Sequence, residues 1–188
     1  MDTQLFELAF THRSFAFEHG RIPSNERLEF LGDAVLQIVV TEHIFRSFPD
    51  LAEGQLAKLR ASVVSSHALA EVARGLDLGE LIRLGQGEIN TGGADKTSIL
   101  ADTMEAVIGA IHMSCGADAA ACFVHALLDE RIASSELKGH YTDYKTALQE
   151  YCAHSGLEPP RYEIVGEGPD HQRIFTATAM VGGKAVGS

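Results

Sequence analysis

The residues best suited to chemistry are carboxylates that recur at helical spacing within apolar stretches. In Asn25–Val40 (NERLEFLGDAVLQIVV), Glu26, Glu29 and Asp33 stand at positions i, i+3 and i+7, which places all three on one narrow stripe of an α-helix. The other positions are apolar almost all round, a pattern typical of a central, buried helix. Because buried like charges must either take up protons or bind a cation, this stretch predicts a bound metal ion.

A second stretch, Ser98–Gly116 (SILADTMEAVIGAIHMSCG), repeats the arrangement with Asp102 and Glu105 at positions i and i+3. Two such helices that face each other would form a cage of carboxylate oxygens, which hard divalent cations such as Mg²⁺ or Mn²⁺ prefer. The carboxylates that would suffice for such a site are Glu29, Asp33, Asp102 and Glu105. Glu26 could add to it. Glu53 could too, although an acid in the first turn of a helix equally complements the helix dipole.

Carboxylates between helices serve two kinds of metal chemistry. Di-iron oxidation requires Glu-x-x-His on two helices, and no glutamate of this chain has a histidine three residues later. Metal-assisted hydrolysis of a phosphodiester requires no side-chain nucleophile, and it therefore fits a site composed only of acids. The structural alternative, in which acid-striped helices merely hydrogen-bond to their neighbours, carries the cost of burying several unpaired charges. His12 is interpreted as a hydrogen-bonded structural residue, and His112 as a core or interface residue.

The overall charge and the cysteines narrow the class of protein further. The 188 residues carry a net charge of −11, so the surface as a whole does not indicate nucleic-acid binding. Cys115, Cys122 and Cys152 form no C-x-x-C pair, and no histidine cluster occurs at zinc spacing. This usage indicates free, buried thiols in a reducing compartment. With no signal peptide and no apolar run long enough to span a bilayer, we expect a soluble, cytoplasmic protein.

Long apolar periodicities predict a mainly helical first part. The helix that begins at Asn25 should continue to about Phe48, because Pro49 would end it. Gly32 is unfavourable in mid-helix, and it indicates that another backbone approaches closely there. Further helices are predicted over Glu53–Gly75, Lys96–Gly116 and Asp118–Ile132, with a mobile, glycine-rich loop over Gly85–Asp95.

The pattern changes after a polar linker at Ser134–His140, and we place a domain boundary between Lys138 and Gly139. Alternating apolar residues and a Gly-Pro-Asp turn predict a hairpin in this last part. The predicted order is a helix to His154 beginning at Asp143, strands over Arg161–Glu167 and His171–Val181, and a third strand that barely begins.

These segments resemble a known family of nucleases. The stretch NERLEFLGDAVL resembles the signature of the ribonuclease III family. THRS (Thr11–Ser14), EGQLAKLRASVVS (Glu53–Ser65), LGQGE (Leu84–Glu88) and KTSILADTMEAVIGAIHMSCG (Lys96–Gly116) are similar to further motifs of that family, in order and spacing. Behind them, DYKTALQEYCAHSG and PRYEIVGEGPDHQRIFTATAMV resemble a double-stranded RNA-binding domain.

The resemblance implies an all-helical endonuclease domain over residues 1–138 and an incomplete α-β-β-β-α RNA-binding domain over 139–188. It implies a homodimer in which Phe30 inserts into the partner, and cleavage of double-stranded RNA with Mg²⁺, or Mn²⁺ in its place. The products would have 5′-phosphates and short 3′ overhangs, and the substrates would be ribosomal RNA precursors and other structured transcripts. Asp33 and Glu105 match the most essential catalytic acids, and they belong with Glu29 and Asp102 to the metal ligands. Glu26 and Glu53 match accessory acids.

The resemblance also implies contacts between the last part of the chain and RNA. The matching residues are Thr146, Gln149, Glu150, Pro169, His171 and Lys184. Such a domain recognises the A-form shape more than the sequence. Family members continue into a basic stretch and a last helix that grips phosphates. We therefore expect the third strand and basic helix to be missing here, the tail to be loosely held, and RNA to bind weakly with a small salt dependence. The alternatives are a protein that binds double-stranded RNA without cleaving it, and a helical dimer with purely structural acids.

Overall fold

The computed structural model describes residues 2–137, 144–167 and 173–187. The chain divides into two compact units, Met1–Tyr141 and Thr142–Ser188. The first unit is helical, and the second combines a helix with an antiparallel sheet, as the mainly α prediction with an α+β tail requires. The predicted boundary between Lys138 and Gly139 lies outside the described residues. No helix in the described part of the chain has the length and apolar character needed to cross a membrane.

Eight helices and two short 3₁₀ turns form the described part of the first unit. The helices are α1 (Thr3–Ala9), α2 (Arg13–Glu18), α3 (Glu26–Ser47), α4 (Glu53–Val63), α5 (Ser66–Gly75), α6 (Gln86–Asn90), α7 (Thr97–Cys115) and α8 (Ala117–Leu137). The 3₁₀ turns are Leu78–Leu81 and Gly93–Asp95.

The centre of this unit is α7, which packs against α1, α3, α5 and α8. Its side chains from Ile99 to Ala110 are buried except those of the two acids, Asp102 and Glu105. The prediction of a central, buried helix is therefore right for α7 and only half right for α3. One face of α3 is buried, but Phe30, Ile38 and Phe45 are 82%, 62% and 68% exposed, because no described element of the same chain covers the opposite face.

The α3 and α7 backbones touch at two glycines. A Cβ atom on Gly32 would lie 1.7 Å from the carbonyl oxygen of Glu105, and one on Gly109 would lie 2.3 Å from the carbonyl oxygen of Leu28. Only glycine leaves room for such an approach. The close approach expected at Gly32 is confirmed, and Gly109 is its counterpart on the second helix.

Three predicted boundaries are wrong. The single helix expected over Glu53–Gly75 is two helices, because Ser65 adopts an extended conformation and its hydroxyl caps α5 by accepting the Ala68 N–H at 3.2 Å. The expected loop over Gly85–Asp95 contains α6 and a 3₁₀ turn. The linker expected from Ser134 begins as the last turn of α8, because no proline or glycine interrupts that helix before Gly139.

The cysteine side chains are also more exposed to solvent than expected. Cys115 and Cys122 are exposed and only Cys152 is buried. Cys115 ends α7 at the surface, and Cys122 lies on the outer side of α8, so neither position has core to pack against.

The second unit consists of α9 (Tyr144–His154) followed by β1 (Arg161–Glu167), β2 (Ile174–Val181) and β3 (Lys184–Gly187). The strands form one antiparallel sheet in the order β1-β2-β3. The β1–β2 register runs from Arg161 opposite Met180 to Glu167 opposite Ile174. The third strand, which was expected to be missing, is present and pairs with β2, because Gly182 and Gly183 adopt the positive φ angles that a tight turn requires.

Candidate metal centre

The crossing of α3 and α7 determines where the acids meet. Glu29 lies one turn before Gly32, and Glu105 is the residue whose carbonyl oxygen touches Gly32. Carboxylate oxygens of Glu29, Asp102 and Glu105 lie within 4.8 Å of one another, and each of these side chains is partly buried. Oxygens at this separation from two helices can bind one hard divalent cation together.

Asp33 lies at the edge of this group. It is exposed, and its Oδ1 accepts a hydrogen bond from Nε2 of Gln37 at 3.3 Å. Its negative charge still acts on Glu105, since it is the carboxylate that contributes most to raising that pKa. The structure therefore brings three of the four predicted ligands together and places the fourth beside them. Asp33 and Glu26 are exposed, so the expectation of a fully buried acidic stripe on α3 is wrong.

Burial and mutual repulsion make the acids weak. Burial, followed by the charges of Asp33, Asp102 and Glu29, raises the pKa of Glu105 to about 8. Burial also raises the pKa of Glu29, with Asp102 as the next cause. The pKa of Asp102 is raised by burial as well, although His12 and Arg13 oppose the shift. A group of acids that holds a proton near neutral pH lacks a compensating cation, and a divalent metal ion fits that requirement.

A pocket of about 390 Å³ opens beside these acids. Its walls carry two cations that the sequence analysis did not assign, Arg13 and Lys96. Arg13 lies 3.8 Å from the Glu26 carboxylate. Lys96 donates to Glu88 at 2.6 Å and to the Thr91 hydroxyl at 2.7 Å, and its hydrogen bond lowers the pKa of Glu88. Arg13, Glu88 and Lys96 lie within the segments THRS, LGQGE and KTS. The sequence analysis identified these motifs but assigned no function to the three residues.

His12 is a structural residue that also lines the pocket. Its Nδ1 accepts the Ser14 N–H at 3.2 Å and caps α2. The Ser14 hydroxyl in turn accepts the Gly85 N–H at 2.9 Å. Burial lowers the pKa of His12, which favours the neutral ring that such a cap requires. The hydrogen-bonded interpretation of His12 is confirmed.

The remaining predicted residues lie apart from the three acids. Glu26 is exposed on the pocket wall and accepts the Ser24 hydroxyl at 2.7 Å. Glu53 lies in a different groove, beside Phe45 and Arg60, and within one chain it is not part of the acidic group. Phe30 projects from the uncovered face of α3.

The predicted RNA contacts belong to the second unit. Thr146, Gln149 and Glu150 lie on α9, and Lys184 begins β3. The side chains of Gln149 and Lys184 are exposed. Pro169 and His171 lie outside the described residues.

Both units are similar to known protein families. A family model described as ribonuclease-III-like matches residues 2–131, and one described as a double-stranded RNA binding motif matches residues 144–188. The chain is 57% identical over 188 residues to ribonuclease 3 of Streptomyces coelicolor, in a match that spans all of this chain and 68% of that protein. It is 55% identical over 180 residues to ribonuclease 3 of Thermobifida fusca, in a match that spans 96% and 75%.

A solved structure matches the helical unit. The nuclease domain of ribonuclease III from Campylobacter jejuni, described for structural flexibility in a region involved in dimer formation, superposes with a TM-score of 0.65 at 45% identity. The match spans 69% of this chain and 87% of that one.

Proposed function

The chain belongs to the ribonuclease III family of double-strand-specific endoribonucleases, whose members depend on divalent metal, and from that premise we propose which of its residues perform the cleavage. The observation that carries the proposal is the meeting of Glu29, Asp102 and Glu105 within 4.8 Å, with a Glu105 pKa of about 8. Acids that are this buried and this close together suit a cation that neutralises them.

Glu29, Asp102 and Glu105 would hold the metal, with Asp33 as the fourth ligand at the edge. Asp33 and Glu105 are the residues whose loss should be most damaging. Mg²⁺ is the proposed ion, with Mn²⁺ able to replace it, because all the ligands are oxygens. When bound, such an ion supplies a Lewis acid for the phosphodiester and lowers the pKa of water.

The chain's own groups orient the substrate. Arg13 and Lys96 present positive charge on the pocket wall. This charge would attract the phosphate backbone of RNA, although the whole chain carries a net charge of −11. Glu88 and Thr91 accept hydrogen bonds from Lys96 and hold its amine in place. Glu26 lies at the same wall as an accessory acid. The proposed products have 5′-phosphates, 3′-hydroxyls and short 3′ overhangs.

The exposed face of α3 supports a homodimer. Phe30, Ile38 and Phe45 are spaced by about two helical turns, and an apolar stripe this exposed marks an interaction surface. Next to Phe45 lies a mainly apolar groove of about 200 Å³. We place Phe30 of one protomer in this groove of the other. Since Glu53 lines the groove and Glu29 neighbours Phe30, this docking would bring Glu53 beside the acids of the partner.

The second unit would bind the RNA duplex. Residues 1–138 would form the catalytic unit and residues 139–188 the RNA-binding unit. The proposed contacts of the RNA-binding unit are Thr146, Gln149, Glu150, Pro169, His171 and Lys184. Recognition of A-form shape suits processing of ribosomal RNA precursors and other structured transcripts in the cytoplasm.

Cleavage of a labelled RNA duplex tests the assignment. Glu105→Gln and Asp33→Asn should each slow Mg²⁺-dependent cleavage by at least about 100-fold, the loss typical of removing one group that stabilises transition-state charge. Asp118→Asn, which alters an exposed acid at the start of α8, is the matched control and should cut normally. Single-stranded RNA, duplex DNA and reactions with EDTA should give no product. Undiminished cleavage by Glu105→Gln would overturn the assignment.

A further inference from the structure

A second group of metal-binding residue types lies at the far end of α3. His43 on α3 and His125 and Asp129 on α8 place donor atoms within 4.8 Å of one another. The Nδ1 atoms of His125 and His43 lie 2.9 Å and 3.6 Å from Oδ1 of Asp129. The two imidazole rings are tilted, with centroids 5.1 Å apart. Two helices thus contribute two imidazoles and one carboxylate to a single point.

These separations suit a tetrahedral metal ion. Zinc binds imidazole nitrogen and carboxylate oxygen at about 2.0–2.1 Å, so neighbouring ligand atoms of a tetrahedral site are about 3.3 Å apart. The distances of 2.9 Å and 3.6 Å lie on either side of that value. A shift of a few tenths of an ångström, within the freedom of partly exposed side chains, would equalise them.

The donor chemistry differs from that of the nuclease centre. Imidazole ligands suit Zn²⁺, Ni²⁺ and Cu²⁺, whereas the all-oxygen group suits Mg²⁺. Three protein ligands leave a fourth position of a tetrahedral ion open. Here that position would face a groove of about 260 Å³ that His43 and His125 line. The side chains of His43, His125 and Asp129 are 25%, 39% and 46% exposed, so an ion can reach them.

The two centres share a helix but no residue. His43 follows Asp33 by ten positions, or about 15 Å along the α3 axis at 1.5 Å per residue. We propose that His43, His125 and Asp129 form a transition-metal site, with Zn²⁺ as the ion of the right chemistry, that links the second half of α3 to α8. The ion would act as a cross-link between two helices that already pack together.

Zinc titration of the full chain tests the site. With excess Mg²⁺ present to occupy the carboxylates, we expect one equivalent of Zn²⁺ to bind and the melting temperature to rise. Co²⁺ in its place should give the visible absorption of a tetrahedral ion. His43→Ala and His125→Ala should each weaken Zn²⁺ binding at least about tenfold, since loss of even an outer-shell partner typically costs about 10- to 100-fold.

His67→Ala is the matched control. His67 also faces a carboxylate four residues on, with Nε2 3.2 Å from Oε1 of Glu71, but no second histidine joins that pair in the described part of the chain. Cys122→Ala excludes a contribution from the exposed thiol one turn before His125. Both controls should bind Zn²⁺ as the parent chain does. The proposal is overturned if the parent shows no saturable Zn²⁺ binding. It is also overturned if His125→Ala, which alters the more exposed of the two histidines, folds correctly and binds Zn²⁺ with the affinity of the parent.

Discussion

Among the acids of the proposed metal centre, Glu105 is the one whose negative charge costs the most free energy. It is the most strongly shifted acid of the group, with burial as the main cause and three neighbouring carboxylates as the others. Its charge is therefore costly in the metal-free protein, and the proposed metal ion would offset that cost. Two measurable consequences for stability are expected.

The first consequence is a pH dependence in metal-free protein. The folded state holds the Glu105 proton up to a pKa of about 8, while the unfolded chain releases it near 4.5. The stability contributed by this group is fully present below about pH 4.5 and is lost as pH rises to about 8. Urea unfolding in EDTA should show this fall, and Glu105→Gln should flatten it. If the stability of Glu105→Gln falls with pH as that of the parent does, the raised pKa of Glu105 is not the cause of the fall.

The second consequence is a metal dependence at about pH 8. Mg²⁺ at 100 times its Kd should stabilise the parent chain by about 2.7 kcal/mol, because it binds the folded state and not the unfolded chain. Glu105→Gln should gain much less from the same Mg²⁺ concentration. Thermal melts with Mg²⁺ and with EDTA measure both values. Equal gains in the two proteins would place the stabilising Mg²⁺ elsewhere.

At the scale of helices, the decisive contact is between backbones. Gly32 and Gly109 allow α3 and α7 to meet without side chains between them, and the carboxylates of both helices project from that crossing. A methyl group at either glycine must push the helices apart, since the atoms it would meet are backbone carbonyl oxygens.

Gly109→Ala should therefore destabilise the fold by about 1–3 kcal/mol or more, the usual cost of overpacking. It should also slow cleavage in the fraction that remains folded, because the ligands separate. Gly54→Ala is the control: Gly54 lies in α4, where a Cβ atom would meet nothing within 4 Å, and alanine there should stabilise slightly. Denaturant unfolding and cleavage assays at low temperature measure the two effects. Full activity in Gly109→Ala would show that the helix spacing is not critical.

The helices themselves were predictable because periodicity is local. Apolar spacing predicted α3, α7 and the start of α8, and carboxylate spacing predicted that acids of α3 and α7 would meet. The break at Ser65 was not predicted, since a cap competes with helix propensity over only a few residues. The pairing of His43 with His125 could not be predicted from spacing along the sequence, because it depends on how two distant helices pack.

For the whole molecule, the unusual feature is the uncovered apolar stripe on α3. The pattern of α3 alone predicted a buried helix, and within a single chain half of that prediction fails. A second protomer would bury the exposed face of α3. The apolar pattern could therefore predict that this face is buried, but not which partner covers it.

Phe30→Ala should weaken self-association at least about 30-fold, the effect of a hot spot of about 2 kcal/mol. The folded single chain should be scarcely affected, since Phe30 is 82% exposed in it. Sedimentation at several protein concentrations measures the association. Phe17→Ala, which removes an exposed ring of α2 outside the stripe, should leave it unchanged. A dimer of normal affinity in Phe30→Ala would contradict the proposed docking.

The glycine contact has a consequence for engineering. Backbone atoms in contact cannot approach further. The contact therefore sets the smallest possible distance between the acid-bearing segments of α3 and α7, and this distance does not depend on how the surrounding core is filled. Substitutions elsewhere in the core should then reduce thermal tolerance well before they alter the chelating geometry. Selection for heat resistance and selection for cutting could proceed on largely separate sets of positions, provided that both glycines are kept.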